Sequence, residues 1–339
     1  DTDGKAGAFY ILSLDDDSQG VEDALFTLDF TSHGEAFLGF DSAALGDVDG
    51  DGMDDILVSA RRDSRIRNNG GSVQFVPGGG TPDDVVTHDG EGGGDQYGFA
   101  IATLGDIDGD GLMDAAIGAS YADAGTTNGG EVFVFPAADL ATVQAPADAT
   151  VRFDGTDAGA RAGSALRGPG DVNGDGYADI LIGAHEYDHE DGLLEQAGAA
   201  FVQLGSGTGW SSTDLADAHL RMYETFADQG TGRYLGAPGD IDGDGLADVM
   251  VTGHRWDDGD RGQVGRVYGV LGSHPSGTLY LPDDADLVIV GSDTNDYLGR
   301  GIAPAGDRNG DGLDDVWIGA SGAGPTGAVF LLEGAYAPL

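Results

Sequence analysis

The chain has no cysteine, a single lysine (Lys5) and no long apolar run. Each absence removes a class of protein. Without cysteine there are no disulfides and no thiolate metal sites, and without about 18 consecutive apolar residues nothing spans a membrane as a helix. Positive charge is scarce too: 15 Lys and Arg stand against 60 Asp and Glu, a formal charge of -45. So acidic a surface repels nucleic acid and anionic lipid, and it attracts cations. No secretion signal is visible. The opening "DTDGKAGAFYILSL" starts inside a repeat, so a signal or upstream segment is expected to lie outside this sequence.

What the chain has in plenty is glycine, 62 of 339 residues, spread through one recurring pattern. Five segments align without gaps: "GDVDGDGMDDILVSA" from Gly46, "GDIDGDGLMDAAIGA" from Gly105, "GDVNGDGYADILIGA" from Gly170, "GDIDGDGLADVMVTG" from Gly239 and "GDRNGDGLDDVWIGA" from Gly306. Their first aspartates lie 59, 65, 69 and 67 residues apart. Such a period marks a repeat architecture.

Each copy reads D-x-D/N-x-D-G-x-x-D, which wraps short carboxylates around one point. Calcium takes about six to eight oxygen ligands, and positions 1, 3, 5 and 9 supply side chains while position 7 offers a carbonyl. The candidate ligands are Asp47, Asp49, Asp51, Met53 and Asp55 in the first loop, and Asp106, Asp108, Asp110, Leu112 and Asp114 in the second. The third has Asp171, Asn173, Asp175, Tyr177 and Asp179, and the fourth Asp240, Asp242, Asp244, Leu246 and Asp248. The fifth has Asp307, Asn309, Asp311, Leu313 and Asp315. Asn173 and Asn309 each remove one charge, so those loops are expected to bind more weakly. About five Ca2+ are expected, taking the formal charge from -45 to about -35. Magnesium, which keeps several waters, fits less well.

The same string opens an EF-hand, which needs a bidentate Glu at position 12 and a helix after it. Position 12 here is Val58, Ile117, Ile182, Val251 or Ile318, and the runs that follow, such as "DILIGA", read as buried strands. Each loop therefore joins two strands. A short segment precedes it ("YGFAIATL"), a third strand begins at Gly ("GEVFVFPA"), and a less regular fourth closes the unit ("DATVRFDG"). Four strands in about 60 to 70 residues match a propeller blade. The predicted fold is all-β, a single β-propeller over 1–339 built of four-stranded antiparallel blades. Its repeats fall at about 1–36 (partial), 37–95, 96–159, 160–229, 230–296 and 297–339 (partial), which gives 21 strands. Five, six and seven blades are all compatible with that count.

With Phe40, Tyr97-Gly98-Phe99, the "GDxxGDGxxD" loop and the closing "IGA", the chain resembles FG-GAP repeat proteins, which include integrin alpha subunits and bacterial surface proteins. The segments "AGSALRGPGD" and "LGRGIAPAGD" depart from the pattern by lacking the aromatic, and no Arg-Gly-Asp occurs. The resemblance implies calcium loops between first and second strands, and ligand-binding loops between second and third strands on the opposite face. It also implies a place outside the cell or at its surface. The first such ligand-face loop, "ARRDSRIRNNGG", holds Arg61, Arg62, Arg65 and Arg67, and the fourth presents His254, Arg255 and Trp256. Arginine suits bidentate capture of carboxylate or sulfate, and Trp can stack on a sugar or anchor a partner. The competing reading is that these arginines only pair with neighbouring acids.

One string invites a catalytic reading. His185-Glu186-Tyr187-Asp188-His189 matches the H-E-x-x-H of zinc proteases, which requires a helix. It occupies the same repeat loop as Ala119–Asp123 and Gly253–Asp257, without helical periodicity, so no catalytic site is assigned. His33, His88, His219 and His274 show no catalytic spacing. The expected function is a non-catalytic, calcium-binding propeller that holds a protein or glycan outside the cell. One alternative is a structural subunit of a surface assembly or filament, self-associating through open blade edges. Another is a polysaccharide lyase- or phospholipase-like enzyme on the same scaffold.

Overall fold

The computed structural model describes residues 7–11, 26–29, 35–107, 109–142, 145–189, 194–206, 210–257, 259, 262–272, 274 and 276–335. Asp108 and His33 fall outside these. The fold is a β-propeller of antiparallel sheets following one another along the chain. A two-stranded pair, β1 (Ala8–Ile11) and β2 (Phe26–Asp29), comes first. Sheet one is β3 (Leu38–Gly46), β4 (Asp55–Ala60), β5 (Ser72–Val76) and β6 (Val86–Asp89). Sheet two is β7 (Tyr97–Gly105), β8 (Asp114–Ala119), β9 (Glu131–Phe135) and β10 (Val151–Asp154). Sheet three is β11 (Ala162–Gly170), β12 (Asp179–Ala184), β13 (Ala199–Gln203) and, after the short β14 (Thr213–Asp214), β15 (Leu220–Glu224). Sheet four is β16 (Leu235–Gly239), β17 (Asp248–Gly253), β18 (Arg266–Val270) and, after β19 (Gly277–Leu281), β20 (Leu287–Val290). Sheet five has β21 (Leu298–Gly306), β22 (Asp315–Ala320) and β23 (Ala328–Leu332).

Two strands were not legible in the repeat. β14 pairs parallel with β10, and β19 pairs parallel with β15, so each 3–4 connection adds a fifth strand to the preceding sheet. This covers an outer edge whose N–H and C=O groups would otherwise stay open.

Both faces of the middle strands are apolar because both are covered. On β9, Val132 and Val134 pack with Leu166, Ile180 and Phe201 of sheet three, while Phe133 and Phe135 pack with Leu57 and Phe75 of sheet one. That period of two makes the strands read as unbroken hydrophobic runs. Each fully buried side chain of this kind contributes about 1.5–3 kcal/mol.

The sheets are joined where each third strand begins. Gly71, Gly130 and Gly198 form parallel bridges to Tyr97, Ala162 and Thr231 at the start of the next sheet. A Cβ on any of them would lie 2.2 Å from the partner's carbonyl oxygen, which explains the glycine opening that strand. The inner strands β3, β7, β11, β16 and β21 surround one central cavity of about 320 Å3, lined by Ser42, Thr103, Arg167, Ala237 and Pro304 among others.

Candidate functional site

Loops between first and second strands leave one end of the propeller; those between second and third strands leave the other. The first set holds the aspartates. In every loop the first carboxylate closes the turn on itself: Gly50 and Gly52 donate to Asp47 (2.8 and 2.9 Å), and Gly310 and Gly312 to Asp307 (2.6 and 2.9 Å). Gly52 has φ +91°, a conformation an L side chain resists.

Position 9 does more than the sequence suggested. Asp55, Asp114, Asp179 and Asp315 are 0% exposed and Asp248 is 1% exposed. One oxygen accepts from the loop, Val48 N–H to Asp55 at 2.9 Å, and the other from the backbone just past the third strand, Gly78 N–H at 2.7 Å. The same clamp recurs from Ala137 to Asp114, Gly205 to Asp179, Gly272 to Asp248 and Gly334 to Asp315. The position-9 aspartate thus locks each loop to its own sheet, in addition to facing the loop interior. At position 7, Met53 is 50% exposed and Leu313 is buried at 2%; only the carbonyls of that position are candidate donors.

Among the described residues, two loops bring three carboxylates together. One oxygen each from Asp47, Asp49 and Asp55, and from Asp240, Asp242 and Asp244, lie within 4.8 Å of one another. These two groups fit a hard divalent cation: oxygen-only donors, high charge and no basic side chain among them. The crowding is felt electrostatically. Burial, reinforced by Asp244 and Asp240, pushes Asp242 up, and burial with Asp242 and Asp244 nearby pushes Asp248 up to about 7. Burial also lifts Asp179 to about 6. In the third and fifth loops the amides of Asn173 and Asn309 donate to Asp175 and Asp311 at 2.9 Å, so part of the repulsion is relieved internally. Asp51, Asp106, Asp110 and Asp171 lie between the first and second strands of their sheets, and Asp108 lies outside the described residues.

At the opposite end the candidate arginines divide. Arg65 pairs with the buried Asp63 (2.5 Å) and with Asp89 (3.1 Å), and Arg67 donates to the Glu91 carbonyl at 3.1 Å. Arg61 does otherwise. It donates to Gln96 at 2.6 Å and lays its guanidinium 4.1 Å from the Phe40 ring and 5.1 Å from Phe99. Arg62 sits 5.4 Å from the Phe37 ring. Trp256, half-buried, carries the Arg266 guanidinium over its ring at 3.6 Å. His254 is buried, packs edge-on to Tyr234 at 5.1 Å, and is pushed down to about 3 by burial and by Arg255, Arg300, His185 and Arg233. Arg255 is half-buried beside it.

Arg233 and Arg300 were missed from sequence, although the signal was present. At or just before the start of each inner strand stands a glycine with positive φ (Gly39, Gly98, Gly163, Gly232, Gly299), and the following residue is Phe40, Phe99, Ser164, Arg233 or Arg300. The register slips there, between Leu38 and Ser42 and between Tyr97 and Ala100, so the glycine makes a bulge. In two sheets the residue so presented is aromatic, and in two it is arginine.

The zinc-like string folds as a turn. Ser164 Oγ lies 2.7 Å from His185 Nδ1, while His185 Nε2 lies 3.5 Å from Glu186. Glu186 is held down at about 2 by that histidine, with Arg161 adding to it at 3.2 Å, and burial pushes His185 down. His189 instead stacks on Tyr223 at 4.9 Å. His88 is buried against the Leu140 carbonyl (2.8 Å), His219 accepts from Leu204 (3.3 Å) and His274 meets Asp286 (3.2 Å). These are structural placements. Among the described residues no helix is long and apolar enough to cross a membrane.

Comparison with known proteins agrees with this geometry. The family described as FG-GAP repeat matches residues 40–76, 97–135 and 168–202. The chain is 32% identical to integrin alpha-PS2 of Drosophila melanogaster over 160 residues, 43% of this chain and 11% of that protein. It is 31% identical to integrin alpha-5 of Xenopus laevis over 157 residues (43% of this chain, 15% of that one). To integrin alpha-IIb of Homo sapiens it is 34% identical over 155 residues (42% and 14%). The matched region thus spans only 11 to 15% of the length of these relatives.

Proposed function

Because the chain is an FG-GAP repeat protein with an integrin-like propeller, we propose that it is a calcium-loaded, non-catalytic binding module that works outside the cell. It holds a protein ligand on the loops between second and third strands. The observation that carries this reading is the convergence of Asp47, Asp49 and Asp55, and of Asp240, Asp242 and Asp244, within 4.8 Å at the end away from those loops. When bound, calcium supplies the positive charge that lets these carboxylates stay ionised side by side. The residues of the chain do the rest. Position-1 aspartates shape the turns, position-9 aspartates fasten them to the sheets, and the loops at the other end are left to vary. The same residues favour an extracellular setting, since modules of this kind bind with dissociation constants of about 10⁻⁴ to 10⁻³ M and would stand largely empty in cytosol.

The test is metal content and stability together. Protein dialysed in millimolar calcium should retain the ion by elemental analysis and melt well above the same protein in chelator, because binding to the folded state alone stabilises it. Protein that carries no metal and melts identically in both buffers would overturn the proposal.

A further inference from the structure

The mouth of the central cavity, at the end away from the aspartate loops, gathers several arginines of this acidic chain. Phe99 of sheet two lies between two guanidinium groups: Arg61 of sheet one at 5.1 Å from its ring and Arg233, at the start of sheet four, at 5.3 Å. The Phe99 ring also meets Phe40 (5.6 Å) and Tyr121 (6.1 Å), so one aromatic floor links the first two sheets. Across the mouth, Arg233, Arg255 and Arg300 all act on His254, and Arg62 and Arg233 both act on Arg61. Arg233 of sheet four thus reaches the aromatic floor of sheets one and two, while Arg300 of sheet five lies over the Tyr297 ring at 3.8 Å.

These cations are poorly neutralised. The chain carries 60 carboxylates, and among the described residues Arg65, Arg152 and Arg161 pair with one, Arg161 while lying over the Tyr121 ring of this floor at 3.7 Å. The side chains of Arg62, Arg233 and Arg255 have no hydrogen bond or ion pair among the described residues, and the Nε of Arg61, the Nε of Arg62 and Nδ1 of His254 are buried without a partner. A buried donor left unmade is costly, and native proteins keep few of them outside functional sites. Stacking on the aromatic floor holds the Arg61 and Arg233 forks in place before any ligand arrives.

We infer that this mouth binds a carboxylate-rich segment of a partner polypeptide, read by Arg61, Arg233, Arg255 and Arg300. The inference rests on the proposal that this face is the ligand face and adds the chemistry of the ligand. A long polyanion is disfavoured because its ends would lie over a body of charge -45, whereas a short acidic tip concentrates its charge where the cations are. Sugar stacking is also disfavoured, since guanidinium groups already cover the Phe40 and Phe99 faces.

The experiment is fluorescence anisotropy on calcium-loaded protein with three labelled probes. These are a seven-residue peptide with Asp-Glu-Asp at its centre, its Asn-Gln-Asn counterpart, and a uronate oligosaccharide of equal charge. The acidic peptide should bind, more weakly as salt rises, while the amide peptide and the oligosaccharide should not. Arg233→Ala and Arg255→Ala should each weaken binding about tenfold or more, the contribution of one charge-assisted contact. Melting curves on both variants report folding. Arg221→Gln, on the outer flank where Arg221 donates to Thr278, should bind as wild type. No binding of the acidic peptide, preference for the oligosaccharide, or equal loss in Arg221→Gln would each overturn the inference. The calcium-dependent melt of the same samples separates the two ideas. A preserved calcium shift with no peptide binding sinks this inference alone, and a missing shift sinks the calcium reading.

Discussion

Asp55 serves two masters, and a single substitution separates them. Its side chain is 0% exposed, with Val48 and Asp49 donating to one oxygen and Gly78 to the other. Asp55→Asn replaces one acceptor by an N–H2 that faces backbone donors, so the cost is a lost pair of hydrogen bonds plus a buried mismatch, about 2–4 kcal/mol. We expect that loss in chelator as well as in calcium, by urea denaturation. An Asp55→Asn protein that is destabilised only in calcium would show that the clamp contributes nothing by itself. Glu131 offers a second residue-level test. It faces Asp154 across the β9–β10 pair and lies 3.3 Å from Arg152. Burial first, then Asp154 and Glu91, raise it from 4.5 to about 7 against the pull of Arg152. A raised carboxyl keeps its proton in the fold after the unfolded chain has lost it. Its favourable contribution is therefore complete below pH 4.5 and is lost as pH climbs through about 7. Glu131→Gln removes the penalty, so its melting temperature should exceed wild type at pH 8 and match it at pH 4; an equal difference at both would refute the assignment. Residues with two jobs are where sequence reading stopped short. The motif gave the ligand spacing, but nothing in D-x-D-x-D-G-x-x-D distinguishes an oxygen free for metal from one already accepting two N–H groups.

At the scale of the element, the closing "IGA" of the repeat has a steric cause. Its glycine lies where the second strand of one sheet meets the inner strand of the next. A Cβ on Gly118 would stand 2.1 Å from the Gly163 oxygen, and one on Gly183 would stand 2.0 Å from the Gly232 oxygen. Gly319 has the same motif place in β22, yet a Cβ there meets nothing nearer than the Gly301 oxygen at 3.5 Å. Gly183→Ala should therefore lower stability by several kcal/mol through backbone displacement, and Gly319→Ala should be neutral or slightly stabilising by removing a strand glycine. Matched denaturant melts check this; equal effects at both sites would mean that the close approach is not what selects glycine. Strand order, loop position and the first-to-second-strand aspartates were legible because each is carried by side-chain type at fixed spacing. The added strands β14 and β19 were not, because each pairs with the preceding sheet along an edge and no periodicity marks it. The cationic mouth was half legible: the Arg61 loop stood out as a run, whereas Arg300 lay in a segment noted only for lacking the aromatic and Arg233 was not singled out.

At the scale of the whole molecule, two features oppose each other. Among the described residues sheet five has three strands, and its outermost one, β23, exposes Val329 (68%), Phe330 (50%) and Leu331 (36%). Beside it runs a groove of about 280 Å3 lined by Ile289, Val290, Ile318 and Leu332 with Phe330 and Leu331. An apolar edge with unpaired backbone groups is a template for another strand. Against it works the net charge of -45, which keeps copies of the chain apart until counter-ions screen it. Association should accordingly be absent at low ionic strength and grow with salt, the reverse of what ion pairing between copies would give. Val329→Lys, placed on the most exposed position of the edge, should keep the chain monomeric at all salt concentrations, since an edge lysine resists strand addition. Sedimentation velocity of wild type and Val329→Lys, at about 20 and 300 mM salt, decides between them. If wild type stays monomeric throughout, the edge is not adhesive. If both chains associate alike, the contact lies elsewhere on the surface, and β23 loses its role in assembly.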